Sequence, residues 1–184
     1  MTQQAPGLPD AAEQGYGAGN GCRPDADRVV TALYEMHYRP LVRLAALLVQ
    51  DVATAQDIVQ DSFAALYHRR RGQDAGLALC YLRQSVVHRS RSALRRRTAA
   101  GRAASRPAPG AGQQVTAAGQ EQPAILSALG SLPARQREAM ALRYYADLPE
   151  AQIASIMGVS PGAVKSHTAR ATAAMRAVVG SLEA

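Results

Sequence analysis

The stretch GVSPGAVKSHTARA, near the C-terminus, brings Lys165, Ser166, His167 and Arg170 within six positions of one another. Ammonium, hydroxyl, imidazole and guanidinium groups so close together suit hydrogen bonding to nucleic acid. Lys165 and His167 can reach base edges, while Ser160, Ser166 and Arg170 suit phosphate oxygens. A second concentration of the same chemistry lies upstream. Residues 69–106 hold eleven arginines against the single acid Asp74, a local charge of +10 in a chain whose total is +7. A cationic block of this kind is the footprint of phosphate contact, because each neutralised phosphate releases condensed counterions. Residues 1–68, with eight acids and four bases, are net negative. Catalytic chemistry finds no comparable support. His37, His68, His88 and His167 are scattered without metal-ligand spacing, and Cys22 and Cys80 form no CxxC pair. There is neither a Gly-rich phosphate loop nor a GxSxG elbow, so no catalytic residue, metal or cofactor is expected.

Helices must position these groups. The chain is rich in Ala, Leu and Arg, has one Phe and no Trp, and lacks the alternating β-branched runs of strands, so the expected fold class is all-α. Ser160 is a suitable N-cap with Pro161 at the first helical position. The helix that follows turns Val164, Thr168, Ala171 and Met175 inward and leaves Gly162, Ala163, Lys165, Ser166, His167 and Arg170 exposed. Before it, Pro149 starts a helix carrying Ile153, Ala154 and Ile156, and Gly158 supplies a left-handed turn. The unit is a helix-turn-helix. Two further helices precede it, one with Ile125, Leu126 and Leu129 ending at SLP, the next starting at Pro133 with Ala139, Met140, Leu142 and Tyr145.

The N-terminal half reads as a three-helix bundle. Asp27 is expected to cap a helix through Leu33, Leu41, Leu44 and Leu48 that kinks or breaks at Pro40. Asp51 caps a second, with Ala55, Ile58, Val59, Phe63 and Leu66 inward and Gln56, Asp57, Gln60 and Asp61 on the other side; Gly72 and its polar neighbours end it. A third, from about Leu77, buries Leu79, Leu82, Val86 and Leu94 and points Arg83, Arg89, Arg91 and Arg95 outward. Residues 1–25 and 98–122, dominated by Gly, Ala, Gln and Pro, cannot build a core and are expected to be a disordered tail and a flexible linker. The expected organisation is therefore two small helical domains, 26–97 and 123–181. With no apolar run of spanning length and no secretion signal, a cytoplasmic chain without membrane insertion is expected.

Three stretches in this order, DVATAQDIVQDSFAALYHR, YLRQSVVHRSRSALRRR and LPARQREAMALRYYADLPEAQIASIMGVSPGAVKSHTARA, resemble bacterial sigma factors of the extracytoplasmic-function (ECF) group of the sigma-70 family, most nearly its SigE-like actinobacterial branch. The resemblance covers about residues 27 to 97 and 124 to 181. It implies a sigma region 2 bundle that docks on the clamp of core RNA polymerase and opens the minus-10 promoter element. It further implies a region 4 helix-turn-helix that binds the polymerase flap and the minus-35 element. On that pattern Asp57, Val59, Gln60 and Asp61 would bind core polymerase. Tyr81, standing where the family often has Trp, would act with Arg83, Gln84, His88, Arg89, Arg91 and Arg95 on minus-10 DNA, with Arg96 and Arg97 extending the basic surface. Ser160, Gly162, Lys165, Ser166, His167 and Arg170 would contact the minus-35 duplex.

The function implied is a non-enzymatic specificity subunit that brings core polymerase to promoter DNA and initiates transcription. Many members are held by an anti-sigma factor, which makes such a protein a third candidate partner. The competing reading is a response-regulator-like transcription regulator with a terminal helix-turn-helix. That reading requires strand-helix alternation and an acidic pocket upstream, and residues 27–97 show neither.

Overall fold

The computed structural model describes residues 23–68, 75–103 and 122–182; Cys22, Gly72, the tail and linker residues 104–121 lie outside the described residues. Helix α1 (Arg23–Val49) is followed by α2 (Val52–His68) and α3 (Ala75–Ala103). The second half holds α4 (Gln122–Ser131), α5 (Ala134–Met140), a π-helical turn over Ala141–Tyr145, α6 (Glu150–Met157) and α7 (Pro161–Leu182). Among the described residues there is no strand, as an all-α chain requires.

Helix α1 starts at Arg23, four residues before Asp27, and runs through Pro40 without a break. Proline leaves the carbonyl four residues earlier without its N–H partner. Here that residue is Met36, which is 69 % exposed, so water can take the place of the missing donor. The helix stops at Gln50, whose φ of 57° is left-handed. Asp51 then caps α2: its Oδ2 accepts the Thr54 backbone N–H at 3.0 Å and also the Thr54 hydroxyl. Helix α3 continues past Arg97 to Ala103, so six residues expected in the linker are helical.

Leu44, Leu48 and Val49 of α1, Val59 of α2, and Leu82, Val86 and Val87 of α3 are sealed between the first three helices. In the second half the equivalent residues are Leu142, Ile153, Met157 and Val164. Pro133 is the N-cap of α5, with extended ψ of 140°, and not its first helical residue. The π-helical turn was not foreseen; it closes with the Ala146 N–H donating to Ala141 O at 3.1 Å.

Sequence reading divides the chain into two bodies joined by a tether, whereas the structure packs them against each other. Their buried residues form one continuous cluster, and Leu47 of α1 also touches the smaller cluster of Leu129, Leu132 and Ala171. The Tyr145 hydroxyl donates to Pro40 O at 3.2 Å. Gln50 lies so close to α4 that a Cβ on Gly130 would stand 1.9 Å from its amide nitrogen.

Candidate nucleic-acid interface

Helix α6 ends where Gly158 takes φ 66° and ψ 43°, the left-handed conformation expected of it. The Val159 N–H returns to Ala154 O at 3.1 Å, and the Ser160 hydroxyl oxygen accepts the Ala163 N–H at 3.3 Å. These two devices set α7 across α6. Val164 and Ala171 are buried beneath α7, while Gly162, Lys165, Ser166 and Arg170 are exposed along its N-terminal half. Ser166 donates its own hydroxyl proton to Gly162 O at 3.0 Å, which leaves its oxygen as an acceptor. His167 departs from expectation: it is half-buried, and its Nδ1 is enclosed without a hydrogen-bond partner.

Beside α7 opens a shallow cleft of about 470 Å³ between that helix, the π-helical turn and α6. Lys165, Arg143 and Arg176 line it with Tyr144 and the single carboxylate Glu150, so its net character is cationic. Arg143 and Arg176 escaped sequence reading. The available signal was their sign, since both are exposed bases in a half with few of them. The π-helical turn carries Arg143 to the cleft and lets it donate to Leu148 O at 3.2 Å.

A second cleft, of about 510 Å³, lies on the first bundle between α2 and α3. It brings together Tyr81, Gln84, His88 and Arg89, four of the seven residues expected to face minus-10 DNA, and adds Arg96 and Ser92. Tyr81 is half-buried and packs on the core, so one ring serves the wall of the cleft and the bundle beneath it. Asp61 stands in this same cleft and accepts Arg89 Nη1–H at 2.9 Å. Both side chains are well solvated, and such a pair contributes about 0–1 kcal/mol, so Arg89 can exchange it for phosphate at small cost.

The other three expected residues separate. Arg83 is half-buried, and burial lowers its pKa; the same guanidinium, after burial itself, lowers the pKa of His37 on α1. Arg95 is exposed and donates to Ser92 Oγ at 3.0 Å. Arg91 is largely withdrawn from the surface, with 17 % of its side chain exposed. Its Nε and Nη2 donate to Glu138 Oε1 and Oε2, both at 2.7 Å, and Nη2 also donates to Met157 O at 3.1 Å. Arg97 is likewise engaged, closing the C-terminus of α1 through Val49 O at 3.0 Å.

On α2, Asp57, Gln60 and Asp61 form the exposed polar face expected of a polymerase contact. Val59 does not belong to it. It is fully buried, on the side of α2 turned away from Asp57 and Asp61 and into the bundle, and therefore anchors the helix that presents the others.

Among the described residues no group of three or more His, Cys, Asp and Glu is arranged to hold a metal ion, and no helix is long and apolar enough to cross a membrane.

Comparison with known proteins gives two family matches in the order of the two bodies. Residues 33–100 match sigma-70 region 2, and residues 122–175 match sigma-70, region 4. The chain is 30% identical over 171 residues to "Probable RNA polymerase sigma factor RfaY" of Xanthomonas campestris pv. campestris, covering 86% of this chain but only 41% of that relative. It is also 30% identical over 161 residues to the ECF RNA polymerase sigma factor SigL of Mycobacterium tuberculosis, covering 84% of this chain and 90% of SigL. Two solved structures share the fold. CnrH, in complex with the cytosolic domain of CnrY, superposes with a TM-score of 0.62 at 22% identity, over 85% of this chain and 95% of that one. The sigma factor RpoE of Bartonella quintana, in complex with the anti-sigma factor NepR, gives 0.60 at 23%, over 85% and 94%.

Proposed function

The chain belongs to the ECF type of the sigma-70 family of RNA polymerase sigma factors, and from that premise we propose how its two bodies divide the work. The reading assigns residues 26–97 to region 2 and residues 123–181 to region 4, with 1–25 as tail and 98–122 as linker. The exposed Asp57, Gln60 and Asp61 of α2 dock on the clamp of core polymerase. The α2–α3 cleft then receives unstacked minus-10 bases, with Tyr81 as a platform, Gln84 and His88 as hydrogen-bonding groups, and Arg89, Arg95 and Arg96 on the backbone.

Helix α7 lies in the major groove of the minus-35 element. Lys165 reaches base edges, Ser160, Ser166 and Arg170 meet phosphate, and the smallness of Gly162 admits the backbone closely. His167 offers only the ring edge that is not enclosed. Arg143 and Arg176 extend the phosphate contact on the flank of α7. No bond is made or broken by the protein, which acts as a specificity subunit in the cytoplasm. The wording and order of the three matching stretches favour the SigE-like actinobacterial branch, and an anti-sigma factor covering these faces is the expected regulator.

The observation that carries the reading is the convergence of Tyr81, Gln84, His88 and Arg89 in one cleft beside the exposed face of α2. The test is gel filtration of core polymerase with the full chain and with the double variant Asp57→Arg, Asp61→Arg. A stoichiometric complex with the native chain that the double variant fails to form supports the reading. No complex with the native chain contradicts it.

A further inference from the structure

Two serine hydroxyls join α2 to α3 at the wall of the α2–α3 cleft, and the chain of bonds they make ends on Arg89. Ser62 of α2 is fully buried, and its hydroxyl donates to Ile58 O at 2.8 Å. A hydroxyl has one proton, so in its 3.1 Å bond with Ser85 of α3 the Ser62 oxygen can only accept, and Ser85 is the donor. The Ser85 oxygen has then spent its own proton and meets Arg89 Nε–H as an acceptor, at 3.4 Å. The Ile58 carbonyl at the far end therefore fixes the direction of every bond in the series.

Arg89 is thus held by two unlike partners. Its Nη1 donates to Asp61 Oδ2 at 2.9 Å, in a solvated ion pair that phosphate can displace. The Ser85 bond is neutral and uses Nε, so it leaves Nη1 and Nη2, the outer fork of the guanidinium, for an anion. Ser85 and Arg89 both line the cleft in which Tyr81, Gln84 and His88 meet. Arg95, by contrast, bonds Ser92 of its own helix. Of the three arginines assigned to the DNA backbone, Arg89 is the one tied to α2.

Resting on the sigma-factor reading, we propose that Ser85, set by Ser62, is a positioning residue for promoter opening, pinning Arg89 by Nε while Nη1 exchanges Asp61 for a phosphate of the minus-10 strand. Holding the side chain in advance removes part of the rotamer entropy that a free arginine loses on binding. Ser85 carries no charge and acts through Arg89 alone. Ser62 supplies the buried acceptor that turns the Ser85 proton away from the guanidinium.

Two measurements on the full chain test this. In the first, core polymerase carrying the chain opens a promoter located by start-site mapping, and the rate at which minus-10 thymines become reactive to permanganate is followed. Ser85→Ala, which favours helix at its position in α3, should slow opening about threefold to tenfold, the range set by the rotamer entropy of one arginine. In an Arg89→Ala background the same substitution should change the rate by less than about 1.5-fold, because a residue that acts through another then has nothing to act on. A native rate in Ser85→Ala, or equal slowing with and without Arg89, overturns the proposal. In the second, nitrogen-15 relaxation of arginine side chains in the free chain reads the hold itself. The Arg89 Nε–H signal, identified by its disappearance in Arg89→Lys, should have an order parameter above about 0.6 and fall below that value in Ser85→Ala. Equal order in the native chain and Ser85→Ala also overturns it. Absence of promoter opening with the native chain would instead count against the sigma-factor reading, leaving relaxation to decide whether Ser85 holds Arg89.

Discussion

Two glycines four residues apart in the helix-turn-helix have opposite predicted responses to the same substitution. Gly158 holds φ at 66°, and a Cβ built there meets nothing within 4 Å. Gly158→Ala therefore costs only the left-handed backbone penalty, about 1–2 kcal/mol for a residue with a Cβ. Restricting the unfolded chain returns about 0.4–1 kcal/mol, so the net loss should be about 1 kcal/mol. Gly162, at the second position of α7, has no positive φ and equally open surroundings. Gly162→Ala should stabilise the fold by about 0.5 kcal/mol through helix propensity. On the proposed docking of α7 it should also weaken minus-35 duplex binding, because the added methyl would stand where the DNA backbone approaches. Urea unfolding of the full chain gives the first quantity and fluorescence anisotropy with a labelled duplex the second. A neutral Gly158→Ala, or a loss beyond about 3 kcal/mol, would refute the turn geometry argued from open space and positive φ. A Gly162→Ala variant that binds duplex as tightly as the native chain would refute its role at the DNA backbone.

The side-chain hydrogen bond from Thr54, then its backbone N–H, hold the Asp51 pKa below the ordinary carboxylate value. The folded state thus favours the ionised form; this stability is present above the unfolded pKa of about 3.9 and is lost as pH falls through the lower folded value. Asp51→Asn keeps a cap acceptor and should flatten acid unfolding in that window, as followed by circular dichroism. Leu82, fully buried in the first bundle, should cost about 3–5 kcal/mol as Leu82→Ala, read by the same urea series. Duplex binding through Lys165, Arg170, Arg143 and Arg176 should show a log affinity versus log salt slope of about −3.6, falling in size by about 0.9 in Arg176→Ala. A slope that does not change in the variant would remove Arg176 from the interface.

Local signals were legible where a single residue type dictates backbone geometry or a cap. Gly158, Ser160 with Pro161, and Asp51 are all used as their chemistry suggests, and the inward stripes of α2 and α7 follow from helical period. Period also separates Val59 from Asp57, Gln60 and Asp61. Its assignment to the polymerase-facing set followed the resemblance against that period, and burial removes it. Pro40 was a poorer guide, because an exposed helix face tolerates a missing N–H that a buried one would not. The π-helical turn had no signal of its own, and Arg143 was missed with it.

Long-range pairing was the least legible. Arg91 looks like its neighbours Arg89 and Arg95 in sequence, and only the fold brings Glu138, forty-seven positions away, within 2.7 Å. Charge counting predicts a basic surface but does not choose which arginine leaves it. The same limit applies to Asp61, expected to serve polymerase alone and found paired with Arg89 in the α2–α3 cleft.

The measurement that bears most directly on the account is multi-round transcription by core RNA polymerase from an actinobacterium on fragmented genomic DNA, with and without the native chain, followed by mapping of the start sites. The account predicts new starts that share two upstream elements at constant spacing, and their loss in a variant with Arg89, Arg95 and Arg96 changed to Ala. An unchanged set of starts with the native chain present would contradict it.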